Sequence, residues 1–325
     1  MEQLSARNIN HIWEIRQDLD RVGYSIVNAL DSKESMEIFI KTMKDIENVC
    51  PGWDQKDTTT WTEENILATN CGFVDYNNGL THSDSMWSIR GHDNILTLFS
   101  NLYSCHRDNL IASFDTMGLR YPPEIVDSEL DPYQVDPHVD QRFENSFTEP
   151  YQAIYCITSS IDRDDGGLVV YPYSHKLHGL DLQKQLKTKP NIDFIVYPKQ
   201  FFEYYPEIKP LKLSLIAGQV VLWDSRLLHS SLPINPDRNK NEIYSSENPM
   251  LFSRMVAYIC YADKRNCSKD IIDKRVEAFK EGYGTNHMPL RPRFIKIHAD
   301  EYPRSNSVKL SLVPIEESNN SCNIA

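Results

Sequence analysis

The hydrophobic period of this chain changes near residue 110, and that change limits its fold to a strand-built core with helical additions. Before it, apolar residues recur at the three-and-four spacing of one helix face. Ile9, Ile12, Trp13, Ile15 and Leu19 predict a helix over 9–21, stopped by Gly23. Met36, Phe39, Ile40, Met43, Ile46 and Val49 predict a second over 33–49, with Asp31 or Ser32 as cap and Pro51-Gly52 as breaker. Ile95, Leu96, Phe99 and Leu102 predict a third over 92–103. Beyond 110 the texture is that of strands: 110–117, 152–160, 168–172, the alternating Leu211, Leu213 and Leu215, then 220–223 after a Gly218-Gln219 turn, and a long strand over 250–262. Short strands separated by turn residues indicate an all-β sandwich or barrel. One late helix is expected over 269–280, capped by Ser268. With no repeat and no linker in view, one domain is expected over 1–325. It would comprise a helical part (about 1–105), a β core (about 110–262) and a C-terminal helix and tail (268–325).

Composition narrows the partners. A formal charge of −12 argues against nucleic acid and anionic membrane surfaces. The best apolar run, Leu213 to Trp223, is shorter than the roughly 20 residues a bilayer needs, and the first residues lack the apolar stretch of a secretory signal. Seven scattered cysteines without a CxxC pair fit reduced thiols, so a cytoplasmic protein acting on a small molecule is expected.

The residues with metal-ligand chemistry are His138-Val139-Asp140 and, far downstream, His229. Residues i and i+2 of a strand project from one face, so an imidazole and a carboxylate so spaced can bind one ion together. A histidine at the end of the apolar segment 211–223 and its extension could complete a 2-His-1-carboxylate triad, the open ligand set of non-haem Fe(II) oxygenases. A His-x-Asp triplet alone also fits a buried histidine bonded to a carboxylate. The rival metal reading is a zinc hydrolase, but the chain has no HExxH and no cysteine-rich site. His175 and His178 fall in a polar segment, and His82, His92, His106, His287 and His298 lack a carboxylate at strand spacing. Arg254 shares a predicted strand face with Phe252, Val256, Tyr258 and Cys260. A guanidinium there is either a structural ion pair or the partner of a ligand carboxylate.

Taken together, His138-Val-Asp140-Gln141, then Asp165-Gly166-Gly167-Leu-Val-Val-Tyr-Pro172-Tyr-Ser-His175-Lys176, then Gly218-Gln-Val-Val-Leu-Trp-Asp-Ser-Arg-Leu-Leu-His229, resemble the phytanoyl-CoA dioxygenase-like family. Tyr173 stands where that family commonly has glycine. The resemblance implies a mainly β fold, with a double-stranded β-helix (jelly roll, cupin-like) core and flanking, mostly N-terminal helices. It implies an Fe(II)- and 2-oxoglutarate-dependent dioxygenase that uses O2, hydroxylates a small molecule and releases succinate and CO2. His138, Asp140 and His229 would hold the iron. Arg254 would take the distal carboxylate of 2-oxoglutarate, twenty-five residues after His229 across an apparent insertion at 235–249, with Arg226 and Arg238 as alternatives. Tyr155, Met117 and Ser231 would line the cosubstrate. Asp140, where related halogenases carry a small residue, favours hydroxylation or another oxidation. Arg90, Asp115, Arg120, Gln141 and Arg142 are candidate substrate contacts, and 284–289 a candidate cover. A cupin-like metalloenzyme without 2-oxoglutarate would keep the triad and not need Arg254; a non-catalytic β-sandwich binding protein would need neither.

Overall fold

The computed structural model describes residues 2–62, 64–67, 74, 79–123, 135–141, 151–186, 194–237 and 254–297. The chain opens with β1 (Arg7–Asn8), α1 (Ile12–Val22), β2 (Tyr24–Asn28) and α2 (Ser32–Val49), followed by α3 (Asp84–Arg90) and α4 (Asp93–Tyr103). The strands β3 (Leu110–Ala112), β4 (Met117–Arg120), β5 (Val135–Val139), β6 (Tyr151–Cys156) and β7 (Gly167–Val170) come next. Then follow α5 (Leu180–Leu186), β8 (Ile195–Val196), α6 (Gln200–Tyr204), β9 (Leu211–Lys212), β10 (Gln219–Asp224) and β11 (His229–Leu232). The last elements are β12 (Arg254–Tyr258), β13 (Tyr261–Asp263), α7 (Lys269–Lys280), β14 (Gly284–Thr285) and β15 (Phe294–Ile295).

The helices begin and end where local chemistry requires. Asp31 accepts from the amides of Lys33 and Glu34 while Glu34 reaches back to the Asp31 amide, a capping box that starts α2. Gly23 takes φ 91° and closes α1, so the chain can turn at once into β2. Ser268 caps α7.

Two antiparallel sheets make the core. The larger has strand order β1-β2-β10-β6-β12-β4, with only β1 and β2 parallel; the smaller is β8-β5-β11-β7-β9. Strand parity decides what each side chain meets. Ile154, Cys156, Val221, Trp223 and Val256 point between the sheets, against Leu168, Val170, Leu213 and Leu215. Ala153, Tyr155, Val220, Leu222, Met255 and Ala257 point the other way, onto Ile15, Leu19, Phe39 and Met43 of α1 and α2. The outer face of the smaller sheet, Val139 and Val169, is covered by Leu182 of α5 and Phe201 of α6. The chain thus folds as a double-stranded β-helix flanked by helices.

Three expectations need correction. The strand expected over 250–262 is two strands in different sheets, β12 and β13, and 250–253 lie outside the described residues. The strand expected over 110–117 likewise divides into β3 and β4. His175, read as a loop residue, is buried, and its Nε2 donates to the Asp20 carbonyl at the end of α1.

Candidate metal centre

β5 and β11 are neighbours, and His138 and His229 are partners in their register. Asp140 follows the end of β5. The three residues offer ligand atoms that all lie within 4.8 Å of one another, a geometry able to hold one metal ion. His229 Nε2 is 3.3 Å and His138 Nε2 3.7 Å from the Asp140 carboxylate, and the two imidazole centroids are 4.3 Å apart.

Backbone contacts fix both tautomers. His138 Nδ1 lies 2.8 Å from the Asp136 carbonyl, and His229 Nδ1 3.0 Å from that of Leu227. A carbonyl only accepts, so each Nδ1 carries the proton and each Nε2 presents its lone pair to the centre. The carboxylate is oriented too. Gln152 Nε2 donates to Asp140 Oδ2 at 3.0 Å, and Trp223 Nε1 donates to Gln152 Oε1 at 2.8 Å, which fixes which end of the amide faces Asp140. Gln152→Leu should leave the fold intact and weaken binding of Fe(II) or Mn(II) about ten- to a hundred-fold, the usual cost of losing such an outer hydrogen bond. Metal titration by calorimetry checks this.

Burial, reinforced by the neighbouring His229, pushes His138 down to about 4. Burial alone would raise Asp140, but the imidazoles of His287, His138 and His229 hold it well below the usual carboxylate range. Both net shifts favour the unprotonated ligand forms. In the metal-free protein, His138 has its folded pKa below the value of 6.5 expected when unfolded. The unfolded chain then binds more protons between these values, so stability falls as pH drops from 6.5 toward 4. This ring should cost up to about 3 kcal/mol across that window. Thermal denaturation at pH 7 and pH 4.5 should reveal the loss, and His138→Gln should remove most of it.

The centre opens into a cavity of about 140 Å³, whose walls include Val135, Ile154, Leu168, Trp223 and Tyr258. Arg254 lies in the same cavity and on the inner face of β12. A Cβ on Gly167, at φ 123°, would stand 3.5 Å from Arg254 Nε and 2.7 Å from Ser160 Oγ, so the glycine leaves room beside the guanidinium. Arg120, opposite Arg254 in register, donates to Ser231 Oγ at 3.3 Å, and Ser231 also lines the cavity.

Other candidates stand elsewhere. Tyr155 and Met117 point onto the helices, because their parity puts them on the outer face of the larger sheet; neither reaches the cavity. Arg90 is a fully buried structural residue whose guanidinium donates to the carbonyls of Thr81 and Asp115. Gln141 is buried but does not line the cavity; Asp115 does. Arg226 is engaged by Asp224 at 2.6 Å and does not line the cavity. Arg142 and Arg238 lie outside the described residues. Two site residues escaped the sequence reading of roles, Gln152 and Trp223; His287 falls in the segment 284–289 expected as a cover, and it lines the cavity. Gln152 alone carried a signal, as a polar residue on the inward parity of an apolar strand.

The profile of the phytanoyl-CoA dioxygenase family matches residues 19–239, which include the triad and the motifs between its members. The chain belongs to this family. Its members use Fe(II), 2-oxoglutarate and O2, and the donor set described above, two neutral imidazoles and one carboxylate, suits Fe(II). Arg254 and His287 lie beyond the matched span. The chain is 24% identical over 296 residues to "Ava biosynthesis cluster protein O" of Aspergillus versicolor, covering 86% of this chain and 87% of that protein. Among solved structures it is similar to the epimerase SnoN in complex with Fe3+, alpha ketoglutarate and nogalamycin RO (15% identity, TM-score 0.48, covering 78% of this chain and 84% of SnoN). It is also similar to HygX from Streptomyces hygroscopicus with nickel and 2-oxoglutarate bound (12% identity, TM-score 0.47, covering 77% and 86%). Among the described residues, no helix is long and apolar enough to cross a membrane.

Proposed function

We propose that this chain is an Fe(II)- and 2-oxoglutarate-dependent dioxygenase that hydroxylates a small molecule, working as one catalytic domain. The observation that carries the reading is the pair of backbone-fixed imidazoles whose free Nε2 atoms converge with the Asp140 carboxylate in a cavity that also holds Arg254. His138, Asp140 and His229 would hold the iron, and Arg254 would receive the distal carboxylate of 2-oxoglutarate, where a planar fork suits bidentate bonding. Bound iron and cosubstrate supply oxygen activation, coupled to decarboxylation of 2-oxoglutarate to succinate and CO2.

The chain's own residues bind, orient and shield. Gln152 and Trp223 keep the Asp140 carboxylate turned to the centre. The apolar walls formed by Ile154, Leu168 and Trp223 exclude water and suit a substrate with a largely apolar body. The relative named for a biosynthesis cluster supports a small-molecule substrate.

The test is iron-dependent formation of succinate from 2-oxoglutarate under air, followed by screening small molecules for stimulated turnover and for a product one oxygen heavier. Iron binding with no succinate under any condition would sink the proposal. Substrate oxidation without 2-oxoglutarate would favour the cupin-like alternative.

A further inference from the structure

His287 stands beside the candidate metal centre without belonging to its ligand set. It lines the cavity, but its ring is not part of the cluster of ligand atoms within 4.8 Å. Its Nε2 is buried and has no hydrogen-bond partner among the described residues. A buried polar atom left unpaired calls for a partner from outside the chain.

The placement is built, not incidental. β14 and β15 pair as a hairpin, and Asn286 Oδ1 accepts from the Arg293 amide at 3.1 Å and from the Met288 amide at 3.4 Å. Thr285 is tied twice to Phe114: its amide donates to the Phe114 carbonyl, and its Oγ1 accepts from the Phe114 amide at 2.8 Å. The same segment receives the Tyr258 amide at the Thr116 carbonyl. The hairpin is thus anchored at the Tyr258 end of β12. Arg254 is at the other end, about 13 Å away at the rise of a strand.

We propose that His287 is a positioning residue for the metal-binding end of 2-oxoglutarate: its Nε2–H donates a hydrogen bond to the keto-acid carboxylate, while Arg254 takes the distal one. The proposal rests on the oxygenase reading above. Both side chains line the one cavity that holds the triad. The proposal also gives the C-terminal hairpin, which lies beyond the family-matched span, a task in the site.

The test uses the full-length protein loaded with Mn(II), without substrate, and titrates ligands by calorimetry. A hydrogen bond to a charged group predicts that His287→Ala weakens 2-oxoglutarate about ten- to a hundred-fold, with Mn(II) affinity changed less than about threefold. His287→Gln, whose side-chain amide can donate from a similar position, should recover most of the loss. Oxalate, which has the chelating end and no distal carboxylate, should be weakened by His287→Ala and spared by Arg254→Met. His287→Phe preserves the ring volume and serves if the alanine variant does not fold. Wild-type affinity for 2-oxoglutarate in His287→Ala or His287→Phe, with the Arg254→Met variant impaired, overturns the role of His287 and leaves the oxygenase reading standing. Absence of 2-oxoglutarate binding in the Mn(II)-loaded wild type overturns both.

Discussion

Asp140→Ala is expected to abolish 2-oxoglutarate turnover and to weaken metal binding by more than about a hundred-fold. Loss of an outer hydrogen bond alone costs ten- to a hundred-fold, and here the ligand itself is removed. The carboxylate is the one anionic donor of the cluster, set between two imidazoles at 3.3 and 3.7 Å. Without it two neutral rings remain. The clean readout is the stabilisation of the native state by metal, which for a ligand at a hundred times its Kd is about 2.7 kcal/mol. Wild-type protein should show this as a metal-dependent rise in Tm; Asp140→Ala should show none at the same concentration. Asp140→Glu keeps the charge but moves it by one methylene, so it should retain part of the affinity and little turnover. An alanine variant with normal turnover would remove Asp140 from the ligand set.

How far the sequence foretold this site depends on which residues are local to one another. Of the helices, α1, α2, α4 and α7 were legible because their signals are short-range, such as the Asp31 and Ser268 caps and Gly23 in the left-handed region; the short α3, α5 and α6 were not predicted. The inward face of β12 was legible as alternation, since Arg254, Val256 and Tyr258 share parity. By the same rule Tyr155 and Met117 fall on the outward parity of their strands and pack toward the helices. β2 was missed: five residues between Gly23 and the Asp31 cap are too few for a period to stand out, yet they pair along β10 near the middle of the larger sheet. β5 hid for another reason. It contains Pro137 and is polar, unlike a buried strand, because its role is to present His138. Gln152 showed only as a polar residue on the inward parity of β6, and His287 only as part of the 284–289 cover; that one meets Asp140 and the other the cavity is a product of tertiary packing. The break between β12 and β13 also has no signal in the sequence.

Arg254→Met is the second large effect expected. Among the candidate arginines, Arg226 is held by Asp224 and Arg90 by two carbonyls, whereas Arg254 lines the cavity with the triad. Removing one partner of a buried, hydrogen-bonded charge pair costs about 2–5 kcal/mol, so 2-oxoglutarate should bind the Mn(II)-loaded variant some thirty- to several-thousand-fold more weakly. Metal affinity should not change, because the ligand cluster does not include Arg254. Arg254→Lys keeps the charge as a point and loses the fork, so it should recover only part of the affinity. The neighbours sharpen the comparison. Arg120 is the register partner of Arg254, and Lys212, whose ammonium burial lowers to about 8 with Arg254 adding to the effect, donates to the carbonyls of Ser160, Ile161 and Asp162. Both are neighbours of Arg254, though neither lines the cavity. If Arg254→Met binds 2-oxoglutarate like wild type and Arg120→Met does not, the distal carboxylate sits on Arg120. If Arg254→Met alone is impaired, with turnover restored at high 2-oxoglutarate, the defect is in cosubstrate binding and the oxidising centre is intact.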